Sequence, residues 1–300
     1  MSAPLIACVP NFSEGREVRI VEAIIAAMKL DGVRLLDYAL DAGLNRSVVT
    51  IAGEPQAVLE AAIRGAGKAA ELIDLNRHQG EHPRIGATDV IPFVPVAGIR
   101  LEQCVLLARQ CGQEIWKRFN IPSYFYEAAS TRPDRQSLDE LRRDQFETLR
   151  ESVRTDSKRR PDIGGPNLHP TAGASAVGAR NYLVGYIIYF KNNDIAATRA
   201  IAREIRQKQV KAMPMVTGGQ AQLTMNISDF NVNPISALYA KILQLAQKHR
   251  IEIASSEIVG LIPESACERD CEWMRHLNGF VPSDKILERR LEKPLEWPRA

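Results

Sequence analysis

The densest chemistry in the chain lies in "NRHQGEHPRIGATD", Asn76 to Asp89, where two histidines, two arginines, two carboxylates and two glycines fall within fourteen residues. His78 and His82 are four positions apart, a spacing that on a helix turns both imidazoles to one face, as in metal-binding pairs. Gly80 and Pro83 work against a helix there. A zinc site would also need a third protein ligand and an open position, which the stretch does not supply. The chemistry that remains is proton transfer. An imidazole titrates near neutrality, so His82 can take a proton from an attacking amine and return it to a leaving one. A satisfied structural histidine is the plainer reading of either ring, of His78 more than of His82. Arg77 and Arg84 offer always-charged forks for carboxylates, although arginines beside a histidine also serve as ordinary surface charge.

The elements around this stretch make it a connection between packed segments. Before it, an alanine-rich helix is expected from about Glu54 to Ile73; after it comes the strand-like "VIPFVPV" from Val90. Polar groups on such a loop can face a ligand. Earlier, Leu5 to Val9 reads as a strand ending in the turn-rich "PNFSEGR". Val21, Ile24, Ile25 and Met28 mark a helix with one apolar face. Val33 to Tyr38 and Val48 to Ile51 read as strands joined by "ALDAGLNRS". Downstream, Val105, Ala108, Ile115 and Phe119 mark a helix, Ser123 to Tyr126 a strand, and "SLDE" at Ser137 a capping box opening a helix towards Arg150. Charge dominates from Arg150 to Arg160, which sets the expected boundary between a first subdomain, 1–160, and a second, 161–300.

The second part opens on "PDIGGPNLHPTAGASAVGARN", too rich in glycine and proline for a regular element. Its backbone amides can approach a flat or anionic ligand closely, or the stretch is simply a long surface crossover. It has neither a lysine at the Walker spacing nor a G-x-G-x-x-G, so nucleotide readings lack support. The strand, helix, strand, strand, helix, strand order then repeats: Tyr182 to Phe190, a helix on Ala197, Ile201 and Ile205, a strand near Val210, another on Leu223, Met225 and Ile227, a helix from Ile235 to Ala246, and Ile251 to Val259. That is split βαβ grammar in both parts. The expected fold is α/β (α+β): two ferredoxin-like split βαβ subdomains with facing sheets, helices on the outside, and a ligand groove along the seam.

Composition bounds the function classes. Three hundred residues with 45% apolar content suit two cores, while a net charge of +3 with 6% aromatics is too weak a surplus to predict nucleic-acid binding. The five cysteines, Cys8, Cys104, Cys111, Cys267 and Cys271, are odd in number and lack a disulfide framework, which points to a reducing, cytoplasmic setting. No apolar run reaches the length of a membrane span, and "LIAC" at Leu5 lacks the basic and apolar segments of a signal. Cys267, Cys271 and His276 read as a helix face rather than a zinc set, and Trp273 and Trp297 are expected to pack the tail onto the body.

These stretches together resemble the glutamate formiminotransferase family. The likeness runs in order through "CVPNFSEGR" at Cys8, "LLDY" at Leu35, "NRSV" at Asn45, "RHQGEHPRIGATDVIPFVPV" at Arg77, "YFYEAA" at Tyr124, "GASAVGARNYLVGY" at Gly173 and "SEIVGLIP" at Ser256. The resemblance implies transfer of a formimino group from N-formimino-L-glutamate to N5 of tetrahydrofolate as co-substrate, with release of glutamate, by a homodimer without a metal. It implies that His82, in "GEHPR", is the catalytic imidazole. The family's folate-contacting stretch corresponds to Gly164, Gly165, Pro166, Asn167, Leu168, His169, Pro170, Thr171, Ala172 and Gly173. A second catalytic carboxylate follows the "LLD" strand; here "LLDYALDAGLNR" leaves Asp41 as its counterpart only if the alignment shifts. Arg77, Arg84 and Arg180 are the expected partners of substrate carboxylates. Animal members continue into a cyclodeaminase domain, and this sequence ends at Ala300. The competing readings are another folate one-carbon reaction, such as cyclisation of 5-formyltetrahydrofolate, and a ligand- or nucleic-acid-binding module on the same fold.

Overall fold

A computed structural model describes residues 3–268 and 272–298. The chain forms two compact units, one running up to Arg180 and joined by the segment from Pro294, the other Asn181–Lys293. Among the described residues no helix is long and apolar enough to cross a membrane.

In the first unit, β1 (Leu5–Cys8) and β2 (Asn11–Phe12) form one interrupted strand between β4 (Arg46–Gly53) and β5 (Thr88–Ala97), with β3 (Val33–Asp41) outside β4. With α1 (Val18–Ala27) and α2 (Pro55–Leu72) this is the expected split βαβ unit, its pairings all antiparallel. The apolar positions the periodicity picked out on α1, Val21, Ile24 and Ile25, are all buried. Pro55, whose missing N–H costs nothing in a first turn, opens α2. The sheet continues beyond β5: α3 (Leu101–Phe119) leads to β6 (Ser123–Glu127), and β7 (Ser175–Ala179) lies parallel between β5 and β6.

Strand β7 was hidden inside the glycine-rich segment, which is irregular only as far as Ala174. The contact boundary therefore falls after Arg180, not at 160/161. The charged run 150–160 is part of the first unit for a further reason. Helix α5 (Gln145–Thr155) occupies its first half, and the carbonyls of Lys158 and Arg159 accept from Arg135 Nη2 (3.1 Å) and the Tyr124 hydroxyl (2.7 Å). The single helix expected from Ser137 to Arg150 is broken. Helix α4 (Leu138–Arg142) stops before α5 begins, Gln145 takes a left-handed φ of 50°, and Ser137 makes no side-chain cap.

The two faces of this sheet differ. Ile91, Phe93, Phe125 and Val177 pack with the helices α1 to α3, whereas Val90, Tyr124, Tyr126 and Ala176 pack with Leu141 of α4 and Leu149 of α5. The second face is thus partly covered within the unit itself, where the sequence pattern had left it open. Trp297 packs on the first core, and Leu295 N–H donates to Leu35 O at 2.8 Å, so the tail is tied to the edge strand β3 as expected.

The second unit follows the predicted order: β8 (Val184–Phe190), α6 (Ile195–Ile205), β9 (Val210–Thr217), β10 (Gln220–Ile227), α7 (Ile235–Lys248) and β11 (Ile253–Val259). Its sheet runs β11-β8-β10-β9, entirely antiparallel, the ferredoxin-like arrangement. Val184, Tyr186, Ile188 and Phe190 alternate inward against the helices, and Trp273 is fully buried in this core. Of the tail trio, Cys271 lies outside the described residues; among these, no group of metal-ligating side chains gathers.

Candidate active site

Three connections meet at one end of the first sheet: Ser13–Arg16 after β2, the β3–β4 turn, and Asn76–Ala87 between α2 and β5. Asn45 joins all three. At a left-handed φ of 49°, a conformation asparagine tolerates better than most residues, its Oδ1 accepts from Gly15 N–H at 3.0 Å and its Nδ2 donates to Gln79 O at 2.9 Å. Its own carbonyl accepts from His78 Nε2 at 2.9 Å. Gly80 packs so tightly beneath this turn that a Cβ would sit 2.3 Å from Leu44 O.

His78 is a structural ring. Arg84 Nε donates to its Nδ1 at 3.0 Å, so both ring nitrogens are engaged by the protein. Burial, with Arg84 beside it, lowers its pKa against the pull of its hydrogen bond to Asn45. Arg84 does not offer its fork to a ligand. It is 4% exposed, with Nη1 and Nη2 donating to the two Glu147 oxygens at 2.8 and 2.7 Å and Nη2 also reaching His78 O at 3.2 Å. The Arg84 fork, expected to face a substrate carboxylate, is paired here with Glu147 of α5, as a buried cation on a loop must be.

His82 is the half-buried imidazole of the loop, and its Nδ1 lies 2.8 Å from Pro83 O. A carbonyl can only accept, so Nδ1 carries the proton and Nε2 of the neutral ring keeps its lone pair. Burial and then the guanidiniums of Arg46 and Arg142 lower its pKa to about 4, with Pro83 O and Asp89 pulling the other way. The ring is thus neutral at neutral pH, with Nε2 free to accept, and a weak base in the free protein.

The carboxylate whose charge acts on His82 is Asp89. Asp41 ends β3 on the surface, where its Oδ1 accepts from Leu44 N–H at 2.8 Å and shapes the turn. Asp89 is fully buried; Oδ1 accepts Ile85 N–H at 2.8 Å, and Oδ2 takes Arg46 Nη1 at 2.8 Å and Arg142 Nη2 at 2.7 Å. Burial alone would raise its pKa, but Arg142, Arg46 and the Ile85 amide hold it below the usual carboxylate value. Arg46 also reaches Asn11 Oδ1 through Nε (3.2 Å) and Nη2 (3.0 Å).

The glycine-rich crossover is stitched to the histidine loop. Leu75 N–H donates to Thr171 O, Ala87 N–H to Ala172 O, and Ala174 N–H to Ile85 O, each at 2.9 Å; Asn76 Nδ2 reaches Pro170 O at 3.0 Å. His169 and Gly173 close a tight turn by exchanging backbone bonds of 2.9 and 3.1 Å, and His169 Nδ1 accepts Ala172 N–H at 3.0 Å. Ala172 and Gly173 are buried scaffold. Gly164, Pro166, Asn167 and Pro170 are exposed, Gly165, Leu168, His169 and Thr171 partly so. Arg154 Nε on α5 holds Asn167 Oδ1 at 3.1 Å. Arg77 is exposed, and Arg180 ends the unit half-buried, its N–H donating to Phe93 O at 3.1 Å.

Sequence reasoning missed Arg46 and Arg142 and gave Asp89 no role. A signal existed for two of them: "NRSVVTIAG" and "TDVIPFVPV" each carry one charge at the head of a buried strand, and a charge there must be paired. Arg142 gave none.

Residues 5–180 match the family described as formiminotransferase domain, N-terminal subdomain, and residues 193–290 match the formiminotransferase domain. The glutamate formimidoyltransferase of Streptococcus pyogenes serotype M1 is 37% identical over 297 residues, spanning 96% of this chain and 99% of its own. That of Thermoplasma acidophilum is 38% identical over 299 residues, spanning 96% and 98%. The formimidoyltransferase-cyclodeaminase of Mus musculus is 36% identical over 276 residues, 87% of this chain and 51% of that longer protein. With both of its units matched in order, the chain belongs to the formiminotransferase family.

Proposed function

We propose that the chain is a glutamate formimidoyltransferase, moving the formimino group of N-formimino-L-glutamate to N5 of tetrahydrofolate and releasing L-glutamate. The observation that carries this reading is similarity along nearly the whole chain, at 37% and 38% identity, to proteins of that name. N5 forms a bond to the amidine carbon, and the proton it sheds goes to Nε2 of His82. The tetrahedral intermediate then collapses, the bond from carbon to the glutamate nitrogen breaks, and that nitrogen takes the proton back. No oxidation state changes. Support for His82 in this role comes from its tautomer, which leaves the Nε2 lone pair free to accept a proton. A positioned base of this kind is worth ~10²–10⁴ in rate.

Tetrahydrofolate is a co-substrate in this reading, held along the exposed part of the crossover, Gly164 to Thr171. The backbone bonds tying that segment to the loop of His82 favour it. The protein works on small molecules in the cytoplasm as a homodimer; free thiols at Cys8, Cys104, Cys111 and Cys267 fit a reducing compartment. Incubation of the pure protein with formiminoglutamate and tetrahydrofolate should yield formimino-folate and glutamate in equal amounts. Failure to form either product overturns the reading.

A further inference from the structure

Two arginines converge here on one carboxylate. The side chains of Arg46, Arg142 and Asp89 are 7%, 10% and 0% exposed, so two cations and one anion are buried together. A buried charge without a counterion is costly, and this group lacks one negative charge. The spare donors of Arg46 go to the neutral Asn11 Oδ1. Arg142 differs, because its Nε is buried and has no partner. The contrast is with Arg84 of the same unit, whose fork is closed on both oxygens of Glu147. A guanidinium that gives Asp89 one nitrogen and leaves a buried Nε unpaired keeps a charged donor unspent.

We infer that Arg142, backed by Arg46, forms an anion subsite that receives a carboxylate of the amino-acid substrate beside His82, with Asp89 holding the two guanidiniums in place. This deepens the formimidoyl-transfer reading and rests on it. The charged groups acting on the imidazole are Arg46 from β4, Arg142 from α4 and Asp89 from β5, together with the Pro83 carbonyl of its own loop. An arriving carboxylate supplies the missing negative charge. The imidazole, a poor proton carrier in the free protein, then holds a proton more readily once substrate is bound.

Turnover of the wild-type protein, measured first, tests the transfer reading alone. The subsite is tested without turnover: histidine-labelled protein is titrated by NMR with and without L-glutamate, and His82 is assigned from its absence in His82→Gln. Glutamate should raise the His82 midpoint by about one pH unit or more. Arg142→Gln should raise that midpoint in the free protein, remove the further rise with glutamate, and increase KM for formiminoglutamate ~10-fold or more with KM for tetrahydrofolate unchanged. Arg142→Lys should recover part of the binding. A midpoint unmoved by glutamate in an active enzyme overturns the subsite, as does a folded Arg142→Gln protein with wild-type KM. A glutamate-induced rise without turnover keeps the subsite and removes the transfer reading. If Arg142→Gln does not fold, the wild-type titration and Arg142→Lys decide.

Discussion

Arg84 Nε donates to Nδ1 of His78 at 3.0 Å. This bond separates the two histidines of the loop. With Nδ1 accepting, the proton of the neutral His78 ring sits on Nε2 and is given to Asn45 O. No nitrogen of that ring is left for a substrate, whereas His82 spends only Nδ1, on Pro83 O. Two imidazoles that look alike in the sequence therefore have different work.

The first prediction follows from that difference. His82→Gln should lower kcat ~10²–10⁴-fold with little change in tetrahydrofolate binding, since the lost group moves a proton. His78→Gln should instead cost stability, about 1–2 kcal/mol, by loosening Arg84 and Asn45. Steady-state kinetics and urea unfolding of both variants check the pair. A His82→Gln protein with near wild-type kcat would remove the proposed base.

The second concerns pH. The folded protein lowers the pKa of His82 from 6.5 to about 4, so the unfolded chain binds the proton more readily between those values. The stabilising contribution of the neutral ring is thus complete above pH 6.5 and lost as pH falls towards 4, amounting to at most about 3 kcal/mol. His82→Gln, which takes up no proton, should lose less stability than the wild type across this window. Urea midpoints at neutral pH and near pH 4.5 give the comparison. Parallel losses in the two proteins would show that the ring is not held neutral. In kinetics, the acid limb of kcat/KM should lie below the ordinary histidine range, because kcat/KM reports the free enzyme.

Arg84 gives the third. Arg84→Ala removes two bonds to Glu147 and the contact that orients His78, so the variant should unfold about 2–4 kcal/mol more easily. Glu147 is 57% exposed and can return to water, which keeps the loss from being larger. At temperatures where the variant is folded, KM for formiminoglutamate should change little. A large rise in KM with unchanged stability would restore Arg84 as a substrate ligand.

How far the sequence reveals this depends on what sets each feature. Helices with one apolar stripe and the strands of the second unit are legible, because burial on one face imposes a period. Strand β7 is not. It is buried at every position between β5 and β6, so Ser175–Ala179 shows no alternation, and its small residues read as loop. The break between α4 and α5 has no local cause as plain as a proline; tertiary pairing provides one, with Arg142 turned to Asp89 and Phe146 N–H donating to Arg84 O at 2.9 Å. His82 stands out in the sequence by residue type and by its polar loop, which is what makes it the proposed base. Asp41 could not be told from Asp89, since only the folded chain decides which carboxylate ends on a surface turn and which beneath two arginines.

The last prediction concerns the seam between crossover and histidine loop. Gly173 has a φ of +69°, and a Cβ there would lie 2.1 Å from Ile85 O, the carbonyl that accepts Ala174 N–H. Gly218, in the β9–β10 turn, has a φ of +59° but open space around the site of a Cβ. Gly218→Ala should therefore cost only the left-handed strain of about 1–2 kcal/mol and leave kcat unchanged. Gly173→Ala bears that strain as well as forcing the crossover away from Ile85. It should be clearly less stable than Gly218→Ala in urea and should lose activity, since the loop of His82 and the crossover proposed to hold the folate would no longer be in register. Equal midpoints and equal kcat for the two variants would mean that this close approach does not hold the site together.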